Sequence, residues 1–233
     1  MSRNVRTYDH FCVLARALER VGDRWSLLVI RDLLTGGKRF TDLMDRLGGI
    51  TPKTLTQRLR ELEEGGIVTA DRAPGRREVW YRLTAAGAEL GPAVDALSWW
   101  GLRHAWRMPN PGERLHIEHL LRATTQAIDR TADDRAPATW HIALAGDGDY
   151  LITSDGEHWS LSTEPPGRPA DVTVTVSGTG DAWLRFAADP SRDTAVRTGI
   201  DITGAEPDVR RFLSLLRLFP ALIHPRERST AGP

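Results

Sequence analysis

The chain has 233 residues, 40% of them apolar and 27% charged, a size and composition that suit one large or two small globular domains and exclude a disordered or collagen-like chain. Its longest apolar runs, such as residues 27–30, fall far short of the ~20 residues that cross a bilayer. No signal peptide and no membrane partner are therefore expected, and the single cysteine, Cys12, leaves no intrachain disulfide and fits a reducing, cytoplasmic setting.

Net charge is zero over the whole chain but not over its parts. Residues 1–107 hold 18 Lys/Arg and 13 Asp/Glu, a net +5; residues 108–233 hold 13 and 18, a net −5. A basic half joined to an acidic half directs the search for an anionic partner to the first half. Of the 31 basic residues 29 are arginine, which fits biased genome composition and also the better phosphate fork.

In chain order, Leu14, Leu18 and Val21 recur at helical spacing, as do Trp25, Leu28, Val29 and Leu33, and Gly36-Gly37 ends that second helix. Thr41 opens a short helix through Leu47, closed by Gly48-Gly49. Thr51 as N-cap and Pro52 at the first helical position open another over residues 52–64, closed by Gly65-Gly66. Two strand-like runs, 67–71 and 78–83, flank the turn-forming RAPGRR. Thr84 caps a long helix with Leu90, Val94, Leu97 and Trp100 on one stripe. Two prolines and a glycine at 108–112 (MPNPG) mark a seam.

Beyond the seam, residues 114–131 form an amphipathic helix with Ile117, Leu120, Leu121, Thr124 and Ile128 on one side. The period then switches to two: Trp140, Ile142 and Leu144; Tyr150 and Ile152; Trp159 and Leu161; Val172, Val174 and Val176. A helix at 181–188, a strand at 199–203 and a helix at 206–218 complete an α+β unit. Three segments follow: 1–107, 108–136 as linker and connecting helix, and 137–233.

On a helical wheel centred on Leu55, Leu59 and Leu62 fall beside it while Lys53, Gln57 and Arg60 fall opposite, flanked by Thr54 and Thr56. Such residues suit a major groove: Lys and Arg meet guanine edges, Gln meets adenine, Thr meets thymine methyl or phosphate. Glu61, Glu63 and Glu64 end the same helix and would repel phosphates, so its N-terminal half is the one that approaches DNA. Arg72, Arg76 and Arg77 at the hairpin tip suit phosphates or a minor groove. Taken singly, each piece also reads as a solvated face or an ordinary basic turn.

The stretch CVLARALERVGDRWSLLVIRDLLTGGKRFTDLMDRLGGITPKTLTQRLRELEEGGIV, followed by YRLTAAGAEL, resembles the HxlR family of bacterial winged-helix transcriptional regulators over residues 11–106. The resemblance implies double-stranded DNA as partner, a pseudo-palindromic operator and a homodimer paired through the first and last helices of the N-terminal domain. It places Thr51, Lys53, Thr54, Gln57 and Arg58 at the DNA, with Arg39 and Thr41 opening the preceding helix and Arg76 and Arg77 in the wing. Trp25 and Leu28 become core residues. At the position of Cys12 some family members sense oxidants; here Arg16 or His10 would have to activate the thiol. The other reading of Cys12 is a small apolar contact at a dimer interface, and Val13 stands where the family often has proline.

The strand pattern followed by DVTVTVSGTGDAWLRF, TGIDITG and DVRRFLSLLRLF is similar to sterol-carrier-protein-type domains over residues 138–219. That resemblance implies an antiparallel sheet and helices around an apolar tunnel, with Trp140, Ile142, Ile152, Trp159, Leu161, Val174, Trp183, Phe186, Phe212 and Leu216 as ligand-binding candidates and a hydrophobic small molecule as effector. On pattern alone the same residues also read as a two-layer core. The expected fold class is thus α+β, a winged helix-turn-helix followed by a sterol-carrier-like domain. A carrier of hydrophobic molecules with secondary DNA binding is the alternative function.

P-loop, G-x-S-x-G and H-E-x-x-H motifs are absent from the sequence, so no enzyme and no cofactor are expected. His116 and His119 lack the carboxylates or cysteines that would complete a metal site. Asp147 and Asp149 read as turn residues, and His141 and His158 as exposed strand residues.

Overall fold

The computed structural model describes residues 7–72, 78–107, 109–110, 113, 116–163, 169 and 171–223. It divides into two units, Met1–Leu97 and Ser98–Pro233. In the first, α1 (Val13–Val21) and α2 (Ser26–Leu33) precede β1 (Lys38–Arg39), α3 (Phe40–Leu47), α4 (Pro52–Glu64), β2 (Val68–Asp71), β3 (Trp80–Leu83) and α5 (Ala85–Ala88), and α6 (Gly91–His104) begins in this unit and ends in the second. The core joins Val29, Ile30 and Leu33 of α2, Leu43 and Leu47 of α3, and Leu55, Leu59 and Leu62 of α4. Each buried leucine contributes about 1.5–3 kcal/mol by leaving water. Gly48 and Gly49 at φ 48° and 70° turn α3 into α4, a backbone shape that L side chains avoid.

β1, β3 and β2 form an antiparallel sheet in that order. The two-residue β1 has no counterpart in the sequence pattern because it is too short to show alternation. The long helix expected after Thr84 is broken instead. Thr84 caps only α5, its Oγ1 accepting from Gly87 N at 3.0 Å, and α6 starts afresh at Gly91-Pro92 because proline lacks the N–H an uninterrupted helix needs. Within α6 the apolar stripe divides as well: Val94 is buried while Leu97 and Trp100 are exposed.

The second unit contains α7 (Ile117–Thr131), β4 (Ala138–Ala145), β5 (Gly148–Ser154), β6 (Trp159–Ser162), β7 (Val174–Thr179), α8 (Gly180–Ala188), α9 (Arg192–Thr198), β8 (Asp201–Gly204), α10 (Glu206–Leu216) and α11 (Leu218–Ile223). The five strands stand in the order β6-β5-β4-β7-β8. Register puts Trp140 beside Ile152 and Val174, and Ile142 beside Tyr150 and Val176. One sheet face is thereby apolar and packs into a single core with α7, α8 and α10.

One expectation changes here. The sheet is mixed rather than antiparallel, because β4 and β7 are parallel from Trp140↔Val174 to Ala145↔Thr179. The meander β4-β5-β6 leaves β6 running with β4, and β7, parallel to both, lies on the far side of β4. The connecting helix expected within 108–136 is α7, which places Ile117, Leu120, Leu121, Ala127 and Ile128 in the core. The helix α9 escaped the pattern because it is short and polar, capped by Ser191 accepting from Thr194 N at 3.1 Å.

Leu55 is fully buried, so Leu55→Ala is expected to cost about 2–5 kcal/mol. A lowered denaturant midpoint with an unchanged slope checks it.

Candidate nucleic-acid interface

The helix α4 is held by its apolar side and presents the other. Thr51 caps it, its Oγ1 accepting from Thr54 N at 3.2 Å, and Leu55, Leu59 and Leu62 point inward. Thr51, Lys53, Thr56, Gln57 and Arg60 are exposed together on the outer side. Thr54 is half-buried and shares a 2.8 Å hydroxyl contact with Thr51. Arg58 sits differently from Arg60: its side chain is 21% exposed against 73%. Its Nη1 lies 2.6 Å from Glu61 and 3.5 Å from Asp23, which ties it to the α1–α2 connection.

The acidic end of α4 is engaged by one amide and by cations. Gln57 donates its amide to Glu61, Arg60 lies 3.5 Å from Glu64, and Arg72 forks onto Glu63 at 2.6 and 2.9 Å. The Arg72 guanidinium pulls the Glu63 carboxyl below its usual range and is itself raised. This pair fastens the start of the wing to α4. Arg76 and Arg77 lie outside the described residues.

Arg39 caps the start of α3 in an unusual way. Its backbone N–H donates to Asp42 at 2.9 Å, its Nε and Nη2 grip the same carboxylate at 3.1 and 2.9 Å, and its Nη1 reaches Glu78 at 2.9 Å. Asp42 first and Glu78 second hold its pKa above the ordinary arginine value, and Arg39 in turn lowers that of Asp42. One side chain thus links α3 to the base of the wing. Thr41, in the first turn of α3, is exposed. Neither the Arg39–Glu78 link nor the place of Trp80 and Arg82 on one side of β3 was drawn from the sequence; the alternation in 80–83 carries the second.

Trp25 and Leu28 pack against the first core, half-buried. Cys12 is half-buried at the N-cap of α1. Arg16 bonds to Glu19 at 3.1 Å and the His10 ring lies edge-on to Tyr8, so both groups named as its activators have other partners.

In the second unit Trp140, Ile142, Ile152, Trp159, Val174, Trp183, Phe186, Phe212 and Leu216 all belong to the buried core, with Leu161 half-buried against it. They touch one another: the Trp140 ring is 4.5 Å from Trp159 and 4.9 Å, edge-on, from Phe212, and Trp183 is 5.7 Å from Phe186. The Trp183 indole N–H has no acceptor among the described residues. His141 is half-buried and bonded to Asp149 at 3.1 Å, not exposed as expected, because β4 is an interior strand. His158 is exposed, and His116 and His119 meet edge-on.

Helices α3 and α4 joined by a diglycine turn, with the β2–β3 hairpin behind them, define a winged helix-turn-helix. Residues 20–109 match the HxlR-like helix-turn-helix family. An uncharacterised HTH-type transcriptional regulator of Methanothermobacter thermautotrophicus is 34% identical over 109 residues, 46% of this chain and 82% of its own length. One from Synechocystis is 40% identical over 89 residues, with 38% of this chain and 66% of the relative covered. The solved reduced form of the transcriptional regulator YodB from B. subtilis is 30% identical, matching 45% of this chain and 100% of that one at a TM-score of 0.37. This chain belongs to the HxlR-like helix-turn-helix family.

Because Arg39 depresses the Asp42 pKa, their link stabilises the fold fully above the ordinary aspartate value of about 4 and is lost as pH falls through the lower folded value. Asp42→Asn is expected to unfold earlier than the parent near neutrality, with the gap closing on acidification. Unfolding midpoints measured across that range check it.

Proposed function

We propose that the chain is a homodimeric transcriptional regulator that reads a pseudo-palindromic operator with its α4 helices, tuned by a hydrophobic small molecule in the second unit. The observation that carries the reading is the outer side of α4. Thr51, Lys53, Thr56 and Gln57 stand exposed on its first two turns, while three leucines anchor it from behind and its carboxylates are engaged by neighbouring side chains. This is the pattern that lets the N-terminal part of a recognition helix reach base edges while its acidic end stays clear of phosphates.

Dimerisation is supported by exposed apolar side chains on the outer helices. Next to and along α1, Phe11 is 91% and Leu14 63% exposed; on α6, Trp100 is 60% exposed. Apolar side chains of that size gain most by pairing with a second copy. Two copies would set two α4 helices at a spacing matched by operator half-sites.

The effector reading rests on the similarity to sterol-carrier-type domains, on the aromatic core behind one sheet face, and on the unpaired indole N–H of Trp183, which suits an apolar ligand bearing one hydrogen-bond acceptor. Such a ligand changes operator affinity only through unequal affinity for the two states.

The first test is a gel shift on the DNA upstream of the chain's own coding sequence, repeated over a salt series. A regulator loses affinity steeply as salt rises yet keeps its preference for one sequence; binding that shows no preference sinks the reading. Lys53→Ala and Gln57→Ala are each expected to cost about 1–3 kcal/mol of base discrimination, read as the ratio of specific to non-specific Kd. Leu14→Glu combined with Trp100→Glu is expected to give monomers by sedimentation and to weaken operator binding. If a hydrophobic compound binds by calorimetric titration yet leaves operator affinity untouched, its role as effector is refuted.

A further inference from the structure

The wing sheet carries a guanidinium that differs from most arginines of its unit. Strand β3 alternates, with Tyr81 and Leu83 against the core and Trp80 and Arg82 on the other face. Arg82 is exposed, and its Cζ stands 5.9 Å from the centre of the Trp80 ring, while the Arg39 Cζ stands 5.8 Å from the same ring. On its other flank Arg82 lies along the backbone of Gly37. A Cβ there would fall 2.8 Å from Nη1, 2.9 Å from Cζ and 3.1 Å from Cγ of Arg82. Ring and bare backbone together hold a long, otherwise mobile side chain in one place.

Its charge is also uncommitted. Arg39, Arg46, Arg58, Arg60 and Arg72, the other described arginines of the helix-turn-helix and wing, each face a carboxylate. Arg82 faces none among the described residues. An arginine already paired must exchange a carboxylate for a phosphate, with little net gain, whereas an unpaired one keeps the whole attraction. Position points the same way. Arg39 opens α3 and pairs with Trp80 across β1 and β3, so Arg82 shares a sheet face with the residue that begins the first helix of the helix-turn-helix, the element that crosses the phosphate backbone in such motifs.

We infer that Arg82 is a DNA-phosphate contact, with Trp80 and Gly37 as the residues that position it. The inference rests on the DNA-binding reading above and adds to it a contact in the body of the wing sheet rather than at the wing tip. A phosphate contact contributes affinity without sequence preference, and its removal lowers the salt dependence of binding.

The experiment measures Kd against salt for the full chain on two duplexes of equal length, one carrying the DNA upstream of its own coding sequence and one of mixed sequence. Arg82→Ala is expected to weaken both duplexes alike and to reduce the slope of log K against log salt by about one per protomer. Gly37→Ala keeps every charge, and the backbone there is not in the left-handed region. The added methyl displaces the Arg82 side chain, so the same loss of affinity is expected, and no further loss when it is added to Arg82→Ala. Circular dichroism and unfolding midpoints matching the parent separate these effects from misfolding; Arg82→Lys, which keeps the charge without the planar stack, is expected to restore the slope but only part of the affinity. A parent that binds with a steep salt slope, beside an Arg82→Ala chain with the same slope and affinity, overturns the phosphate contact alone. Loss of sequence preference at unchanged slope overturns it in favour of a base contact. A parent that binds neither duplex removes the DNA reading and this inference with it.

Discussion

Burial of Leu55, Leu59 and Leu62 against α2 and α3 is the constraint on which the first unit turns. Three leucines at spacings of four and three leave α4 one rotation about its axis in which all are dry. Any other rotation would expose at least one of them, at a cost comparable to a fair part of a small domain's stability. Because the rotation is fixed from inside, the residues that look outward are fixed too. Lys53 and Gln57 are exposed without any stabilising contact of their own to the core, Gln57 bonding only to Glu61 on the same helix.

Electrostatics then refines what packing has set out. The first half is basic in sum, but much of that charge is internally compensated. Arg58 is drawn to Glu61 and Asp23, Arg60 to Glu64, Arg72 to Glu63, and Arg39 to Asp42 and Glu78. These pairs act as struts between elements: Arg72 joins wing to α4 and Arg39 joins wing to α3. A net charge therefore overstates the surface offered to an anion, and the few cations without a carboxylate matter more than the total. Most of these pairs are exposed, so each adds little stability alone; their effect is to hold the hairpin in register with the helices.

The architecture of the first unit was legible because its signals are local. The Thr51-Pro52 start, the diglycine stops and the 3.6-residue leucine spacing all concern neighbours along the chain, and the structure follows them. Which polar residues face outward was legible for Lys53, Gln57 and Arg60 but less so for Arg58, whose side chain is held by Glu61 and drawn further by Asp23, 35 positions earlier. In the second unit alternation announced the strands, and five strands form. Their direction was not legible: nothing in a period-two pattern says whether a neighbour runs parallel. Nor does alternation tell a ligand wall from a core, since Trp140, Phe212 and Trp159 in mutual contact satisfy both with the same residue types.

The parallel seam between β4 and β7 has a kinetic side. Hairpins close as soon as both arms exist, but β4 acquires its second neighbour only after 28 further residues separate its last residue from the first of β7. A chain in which β4, β5 and β6 have paired but β7 has not leaves one edge of β4 unsatisfied. Pairings of that separation form slowly, and an open apolar edge invites strand exchange with another copy. The second unit thus has an interval during its maturation in which crowding of identical chains works against it, a liability that the local, helix-led assembly of the first unit does not share.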